Sequence, residues 1–204
     1  KCLLVEKPEI YHSEKMQSYI QSEISRPCKQ WINEIINLKR EFDRVKLNNE
    51  NFILLPDMAS KKKYSHSHSE QFPLHWLALI KNPVLRTLRD LNGTHIKLLE
   101  TIYDLSCKTI EEKTGIPRDL IVAYIHYPPS VYQLHIHFKY PFYHNKGIDN
   151  YRVHHLSTVI GNLKKDYYYY CNCKLLVPLF SRSEMHKIIR PFNSSNKDTP
   201  VIAW

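Results

Sequence analysis

The 204 residues carry a formal net charge of +9, and 43% of them are hydrophobic and 12% aromatic. This composition can fill a hydrophobic core, which excludes a disordered chain, and the positive charge favours an anionic partner such as a nucleotide, a nucleic acid or an acidic membrane surface. With 4 glycines and neither a G-x-G-x-x-G nor a G-x-x-x-x-G-K motif, the sequence argues against a glycine-rich phosphate loop.

The N-terminal quarter of the chain is predicted to hold one helix and two strands. Residues 1–27 are mixed and polar, and we expect a connecting arm or the remnant of an upstream domain there. Because the chain begins with Lys1 rather than methionine, we expect a piece of a longer protein. After Pro27, apolar residues such as Trp31 and Ile35 recur at helical spacing, which predicts a helix. The segments "FDRVKL" and "NFILLP", separated by the turn "NNEN", are predicted strands.

The central part of the chain begins with a basic segment, "ASKKKYSHSHSE", which is predicted to be a surface loop. A third strand, "HWLALIKN", follows it. The longest helix is predicted over 91–115, with Asn92 or Thr94 as its cap and Gly115 with Pro117 as its stop.

The last part of the chain is predicted to add strands, a helix and a tail. Two strands, "LIVAYIHY" and "VYQLHIHFKY", are joined by "PPS". A helix "RVHHLSTVIGNLKK" and a final strand "YYYYCNCKLLVPLF" come next. One more short helix is expected in the tail, before a disordered "NSSNKDTP".

Short links between neighbouring strands predict an antiparallel sheet with helices packed on it, which is an α+β fold. The main domain is predicted over 28–182, and a C-terminal tail over 183–204. The five cysteines are scattered, so we interpret them as reduced thiols of a cytosolic or nuclear protein. Neither a signal peptide nor an apolar run of the roughly 20 residues that a membrane span needs is visible.

A row of polar side chains lies within the apolar segment "YPPSVYQLHIHFKYPF". Because successive side chains of a strand point to opposite faces, Gln133, His135 and His137 share one face. His126 ends the preceding strand and can reach this row. Three interpretations stay open on the residues alone: a polar outer face of an edge strand, a metal site built on two histidines, and nucleophilic attack by an imidazole on a phosphate.

The segment "YQLHIHF" resembles the histidine triad motif, in which histidines alternate with apolar residues. The longer segment "YIHYPPSVYQLHIHFK" resembles the active-site segment of scavenger mRNA decapping enzymes, and "QWINEI", "FILLPDM", "LRDL" and "RVHHL" extend the likeness over most of the chain. The resemblance implies a HIT-like fold and a catalytic domain over 28–182. It also implies an activity, the hydrolysis of short capped RNA remnants. In this reaction m7GpppN is split into m7GMP and a nucleoside diphosphate, and neither a metal nor another cofactor is needed.

The resemblance assigns the catalytic histidines. His135 matches the nucleophile that forms a covalent nucleotidyl-histidine, and His137 matches the triad histidine that supports and orients it. His126 matches an extra histidine that contacts the phosphates. The other histidines, including His75, match no site, and we expect them to be ordinary surface or hydrogen-bonded residues.

The resemblance also assigns the phosphate-binding side chains and shows where this chain departs from the family. Ser130 and Arg152 match a serine and an arginine that bind phosphate. Gln133 replaces the first triad histidine, and glutamine can still donate and accept a hydrogen bond there. Val131 and Ala59 replace a tyrosine and a lysine, so two phosphate contacts of the family are expected to be missing.

A pocket for a methylated guanine is predicted from the same resemblance. The base carries a positive charge that an aromatic face attracts, and its edge offers N–H donors that suit a carboxylate. Trp31 matches the stacking residue and Glu41 the residue that reads the guanine edge. Pro56 and Asp57 match backbone and ribose contacts, and Met58 matches the apolar group on the other face of the base.

The expected partner is a capped dinucleotide or a short capped RNA fragment, and the resemblance implies a homodimer in the cytoplasm or nucleus. Two alternatives stay open. The losses at Gln133, Val131 and Ala59 favour a cap-binding protein with weak or no catalysis. A general histidine triad hydrolase of nucleotides is the other alternative, against which the pair Trp31 and Glu41 argues, because such an enzyme does not need to select a cationic guanine.

Overall fold

The computed structural model describes residues 1–57, 75–140, 147–194 and 202–203. The strands within these ranges are β1 (Cys2–Glu6), β2 (Leu47–Asn48), β3 (Phe52–Pro56), β4 (His75–Ile80), β5 (Val122–His126), β6 (His135–Lys139), β7 (Val153–His155), β8 (Leu175–Leu179) and β9 (Ile202–Ala203). The α-helices are α1 (Pro8–Tyr11), α2 (Glu14–Ile24), α3 (Trp31–Ile36), α4 (Ile96–Thr114), α5 (Leu156–Lys165), α6 (Tyr169–Asn172) and α7 (Glu184–Ser194). In this part of the chain, no helix is both long and apolar enough to cross a membrane.

The larger of two sheets has six strands in the order β2–β3–β4–β6–β5–β7, and every neighbouring pair is antiparallel. The smaller sheet places β1 between β8 and β9. Leu99 and Ile102 of α4 lie in the same buried cluster as Ile136 and Phe138 of β6, so the longest helix packs on the larger sheet. The predicted α+β fold, an antiparallel sheet with helices packed on it, is therefore confirmed.

Both faces of β3 are covered, which explains its unbroken apolar run. Phe52 and Leu54 join the main core, whereas Ile53 and Leu55 join a smaller cluster under α3 on the opposite face. The sequence prediction of a buried strand here is confirmed. The end of α4 is also as predicted, because Gly115 has φ 72°, a left-handed conformation that glycine adopts at little cost.

Residues 1–27, for which the sequence predicts a connecting arm, form β1, α1 and α2. β1 pairs with β8, which lies far along the chain. Pairing between such distant segments cannot be recognised from the local sequence. Glu6 at the end of β1 is fully buried and accepts a hydrogen bond from Arg89 Nε at 2.9 Å, and Tyr127 also donates to it. This buried pair ties the arm to the main core, and the predicted domain limits stay predictions.

Three segments differ from the sequence prediction. "RVHHL" begins as strand β7, because Val153 to His155 pair with β5, and the helix starts only at Leu156. "YYYYCNC" forms α6 rather than strand, since Arg89 Nη1 donates to the Tyr170 and Cys173 carbonyls that a sheet would need. "FDRVKL" contributes one 3-10 turn and Leu47, the first of the two residues of β2.

The tail contains the expected short helix, α7. Most of "NSSNKDTP" lies outside the described residues, as does the predicted surface loop "ASKKKYSHSHSE".

Candidate active site

His135 opens β6 and is held by the backbone of its own strand. Its Nδ1 lies 2.7 Å from the carbonyl oxygen of Gln133. A carbonyl oxygen can only accept, so Nδ1 carries the hydrogen and Nε2 carries the lone pair. The side chain is only 6% exposed, and burial lowers its pKa. His135 is therefore a neutral imidazole with its lone pair fixed at Nε2.

His137 lies two residues further along the same face and belongs to a chain of hydrogen bonds that the sequence did not reveal. Its Nδ1 lies 2.8 Å from His75 Nε2, and His75 Nδ1 lies 3.0 Å from Asp57 Oδ2. Side chains of a strand alternate between its two faces, so His75 and Leu77 of β4 share one face. Leu77 is the cross-strand partner of His137, so His75 lies on the face that carries His137. That alternation is visible in "HWLAL", but the register that brings His75 to His137 is not.

His126 completes the group of histidines expected from the sequence. Its ring centroid lies 4.4 Å from that of His137, and the His135 and His137 centroids are 5.0 Å apart. Tyr124 stacks on His137 at 4.9 Å with nearly parallel rings. Burial, followed by the charge of Arg152, lowers the pKa of His126 to about 3. The structure thus brings the three assigned histidines together, with His126 neutral.

The metal interpretation of these histidines was open on the sequence alone. Across residues 1–57, 75–140, 147–194 and 202–203, no group of three or more His, Cys, Asp or Glu side chains is arranged to hold a metal ion. His135 and His137 use their Nδ1 atoms on Gln133 and His75, which leaves one nitrogen each for further bonds.

Two predicted phosphate-binding residues meet at the loop before β6: Ser130 belongs to the loop, and Arg152, just before β7, contacts it. Arg152 Nη2 donates to the Pro128 carbonyl at 3.0 Å, which anchors the guanidinium at this loop next to His126. Ser130 is exposed, and Lys29 donates to its carbonyl oxygen. Lys29 therefore adds a cation at the loop that the sequence did not suggest. It also links the loop to the segment that precedes α3.

Gln133 has a structural task at the position of the first triad histidine. Its side-chain nitrogen donates to the carbonyl oxygens of Ile80 and Asn82, and the residue is only 8% exposed. Those bonds hold the end of β4 against the start of β6. Because the amide nitrogen already donates to these two carbonyls, only the side-chain oxygen remains available. This oxygen is a hydrogen-bond acceptor, and it does not attract the oxygens of a phosphate, which are acceptors too. The role of Gln133 as a phosphate ligand stays a prediction.

Trp31, at the start of α3, lies on the histidine face of the larger sheet. It packs against a small buried cluster that includes Leu79 and Val131. Leu79 is the direct cross-strand partner of His135, so the cluster under Trp31 adjoins the proposed nucleophile. The aliphatic side chain of Val131 is buried in this cluster and offers no hydroxyl to a phosphate, as the sequence indicated.

Glu41 and the end of β3 are joined by an arginine. The Arg44 guanidinium donates both to the Glu41 carboxylate and to the Pro56 carbonyl. Glu41 itself has φ 57°, a left-handed conformation that is uncommon for a residue with a Cβ. Arg44 therefore links the Glu41 carboxylate to the end of β3, which Asp57 follows, while Met58 lies outside the described residues. Arg44 holds the carboxylate that is predicted to read the guanine edge.

Comparison with known proteins gives one family match and several relatives. The model described as "Scavenger mRNA decapping enzyme C-term binding" matches residues 30–152, more than half of the chain. The m7GpppX diphosphatase of Ascaris suum is 33% identical over 79% of this chain and 52% of its own length. The human protein of that name is 29% identical over 81% of this chain and 49% of its own. That of Caenorhabditis elegans is 29% identical over 97% and 61%.

The chain thus spans about half the length of the curated relatives it matches. Among solved structures, that of Hnt3 in complex with DNA and guanosine aligns with 82% of this chain at 12% identity and a TM-score of 0.45.

Proposed function

The chain belongs to the scavenger mRNA decapping enzyme family, as its motifs predicted, and we propose that it hydrolyses the triphosphate bridge of short capped RNA remnants. The products are m7GMP and a nucleoside diphosphate. The reaction passes through a covalent nucleotidyl-His135 and uses no metal. The observation that carries the proposal is the adjacency of two features. His135, with its lone pair on Nε2, is paired with Leu79, and Leu79 belongs to the cluster on which Trp31 packs.

The first step follows from the protonation state of His135. Its Nε2 lone pair attacks the phosphorus next to the methylated nucleoside, and the bond from that phosphorus to the bridging oxygen breaks. The leaving nucleoside diphosphate takes the bonding electron pair. His135 becomes a phosphorylated imidazolium whose Nδ1–H still points to the Gln133 carbonyl, and this carbonyl dipole favours the positive charge.

Selectivity for the methylated base is proposed to come from the Trp31 side of the site. A cationic 7-methylguanine gains about 0.5–2 kcal/mol over an aromatic face, and a neutral guanine gains less. Glu41 is held beside Pro56 through Arg44, where a carboxylate can accept the N–H groups of the guanine edge. Arg152 and Lys29 supply positive charge near the phosphates.

A second candidate, a cap-binding protein without catalysis, is favoured by one observation. Gln133, at the first triad position, donates from its amide nitrogen to the backbone carbonyls of Ile80 and Asn82 and does not act as an acid or base.

We further propose, from the resemblance, a homodimer and a cytoplasmic or nuclear location. The oligomeric state is checked by light scattering on the eluted protein, and a monomer at micromolar concentration would remove that part of the proposal.

One assay separates these candidates. The protein is incubated with m7GpppG and, in parallel, with unmethylated GpppG, in the presence of EDTA, and the products are separated by chromatography. We expect m7GMP and GDP from the methylated substrate only, and no product from the His135→Asn variant. Equal cleavage of GpppG would point to a general nucleotide hydrolase, and binding without any product to a cap-binding protein. Loss of activity on adding EDTA would contradict the metal-free mechanism.

A further inference from the structure

Asp57, His75 and His137 form a continuous line of hydrogen bonds that runs from the end of β3 to the histidine row. The Asp57 Oδ2–His75 Nδ1 distance is 3.0 Å, and the His75 Nε2–His137 Nδ1 distance is 2.8 Å. The His75 and His137 ring centroids are 5.1 Å apart, with 23° between the ring planes. The His75–His137 hydrogen bond, with His75 held in turn by Asp57, therefore fixes the orientation of the His137 ring.

The line of hydrogen bonds has a polarity that the carboxylate sets. An ionised Asp57 can only accept, so a neutral His75 carries its hydrogen on Nδ1 and offers a lone pair at Nε2. His137 must then donate from Nδ1, which leaves its own lone pair at Nε2. Within the described part of the chain, His137 Nε2 is buried and has no hydrogen-bond partner. A buried acceptor without a partner costs about 1–3 kcal/mol, which points to a donor that arrives with the substrate.

The electrostatic surroundings keep His137 able to accept. The titratable and charged groups around it are His135 on its own strand, His126 and Tyr124 on β5, His75 on β4, Asp57 after β3, and Arg152 before β7. Burial is the main cause that lowers the pKa of His137, and the neighbouring histidines and Arg152 add to it. His137 is accordingly uncharged in the free protein, and its Nε2 lone pair accepts no hydrogen bond from the described residues.

We propose that Asp57 and His75 are positioning residues that present His137 Nε2 as the proton acceptor for the water that hydrolyses the nucleotidyl-His135 intermediate. The inference rests on the proposed function. In this step the water oxygen forms a bond to phosphorus, and the bond from phosphorus to His135 Nε2 breaks. The electron pair returns to His135, which becomes neutral imidazole again. The water proton passes to His137 Nε2, and m7GMP leaves.

The second step needs such an acceptor more than the first does. In the first step a neutral imidazole attacks and a diphosphate leaves, so no proton has to be removed from His135. In the second step the attacking water must lose a proton, and an imidazole fixed with its lone pair towards the phosphate can take it. His135 cannot do so, because its Nε2 is the atom bonded to phosphorus.

The test uses two substitutions of His75. His75→Phe keeps an aromatic ring but removes both hydrogen bonds. His75→Gln can donate to Asp57 and accept from His137, but it does not titrate. His12, which is exposed and outside the site, gives matched controls in His12→Phe and His12→Gln. Urea unfolding of all four variants establishes that the fold is kept.

Two readouts are measured on each variant. Nitrogen-15 NMR of labelled histidines reports which ring nitrogen of His137 carries hydrogen, and it does not depend on activity. Rapid-quench mass spectrometry with m7GpppG follows the nucleotidyl-His135 adduct. We expect Nδ1–H at His137 in the wild type and in His75→Gln, and a mixture of tautomers in His75→Phe. In His75→Phe the adduct should accumulate and kcat fall about 10- to 100-fold with KM little changed, the size of effect that an outer hydrogen-bond partner has at a metal site. His75→Gln should recover most of that loss.

Several results would overturn the proposal. The first is a hydrogen on Nε2 of His137 in the wild type. The second is decay of the nucleotidyl-His135 adduct in His75→Phe at the wild-type rate. The third is a turnover rate in His75→Gln that is no higher than in His75→Phe. If the wild type makes no m7GMP at all, the proposed function fails, and with it the role in hydrolysis. The NMR measurement then still decides whether Asp57 and His75 set the tautomer of His137.

Discussion

Two histidines outside the nucleophile position are expected to make this domain sensitive to acid. Burial and the charge of Arg152 lower the pKa of His126 to about 3. Burial and the charge of Arg89 lower the pKa of His154 to about 4, and in the described residues His154 Nε2 is buried with no partner. An unfolded histidine titrates near 6.5. Each group therefore binds a proton more readily in the unfolded chain than in the folded one.

The sign and size of the effect follow from this difference. The contribution to stability is complete above pH ~6.5 and is lost as the pH falls from there towards the folded pKa values. At pH ~5 each histidine is protonated in the unfolded chain but remains neutral in the folded one, so each lowers the unfolding free energy by about 2 kcal/mol. The two together amount to about 4 kcal/mol, a large part of the roughly 5–15 kcal/mol that stabilises a typical domain.

Urea unfolding of the wild type, His154→Phe and the exposed-site control His12→Phe between about pH 7.5 and about pH 5 measures this loss. His154→Phe keeps a ring beside Tyr127 and Tyr170 but cannot titrate. Its unfolding free energy should fall with acid by about 2 kcal/mol less than that of the wild type, and the control should follow the wild type. Equal pH dependence in His154→Phe and the wild type would refute the assignment of a depressed pKa to His154.

Further predictions concern the nucleophile, the base pocket and the buried ion pair. His135→Asn should abolish m7GMP formation and change the Kd for a capped dinucleotide little, as fluorescence titration will show; normal turnover would remove His135 as the nucleophile. Trp31→Ala should weaken binding of m7GMP about 2- to 30-fold and of GMP less, since a cation–π contact contributes about 0.5–2 kcal/mol. An equal loss for both ligands would contradict stacking on the charged base. Arg89→Met should lower the unfolding free energy by about 3–5 kcal/mol, because it leaves the charge of Glu6 buried without the arginine. The double variant Arg89→Met with Glu6→Gln should recover part of that loss. Urea unfolding measures both.

The part of the site that lies on one strand could be predicted from the sequence. The period of two places Gln133, His135 and His137 on one face, and the structure keeps His135 and His137 there, while Gln133 lies just before β6. His75 was left without a role because its contact with His137 depends on the register between β4 and β6, which no local pattern encodes. Arg44 was missed for a similar reason, since the pocket residues that it joins come from two separate elements.

The fold shows the same division between local and distant causes. The long helix α4 is amphipathic and ends at Gly115, so its spacing and its stop signal are both local. β1 and β7 depend on partners elsewhere in the chain, and the sequence predicted neither strand. The glutamine in the histidine row is a further case. Its two backbone acceptors, Ile80 and Asn82, belong to the end of β4 and could not be inferred from the motif.

In the proposed reaction, His135 Nε2 attacks the phosphate next to a methylated guanosine. The most direct test quenches the reaction with m7GpppG during the first turnover and locates the modified residue by mass spectrometry of the peptide that contains β6. We predict an m7GMP adduct on His135, formed before free m7GMP appears and absent with GpppG. Release of m7GMP at the wild-type rate with no adduct on His135, or an adduct on another residue, would contradict the claim.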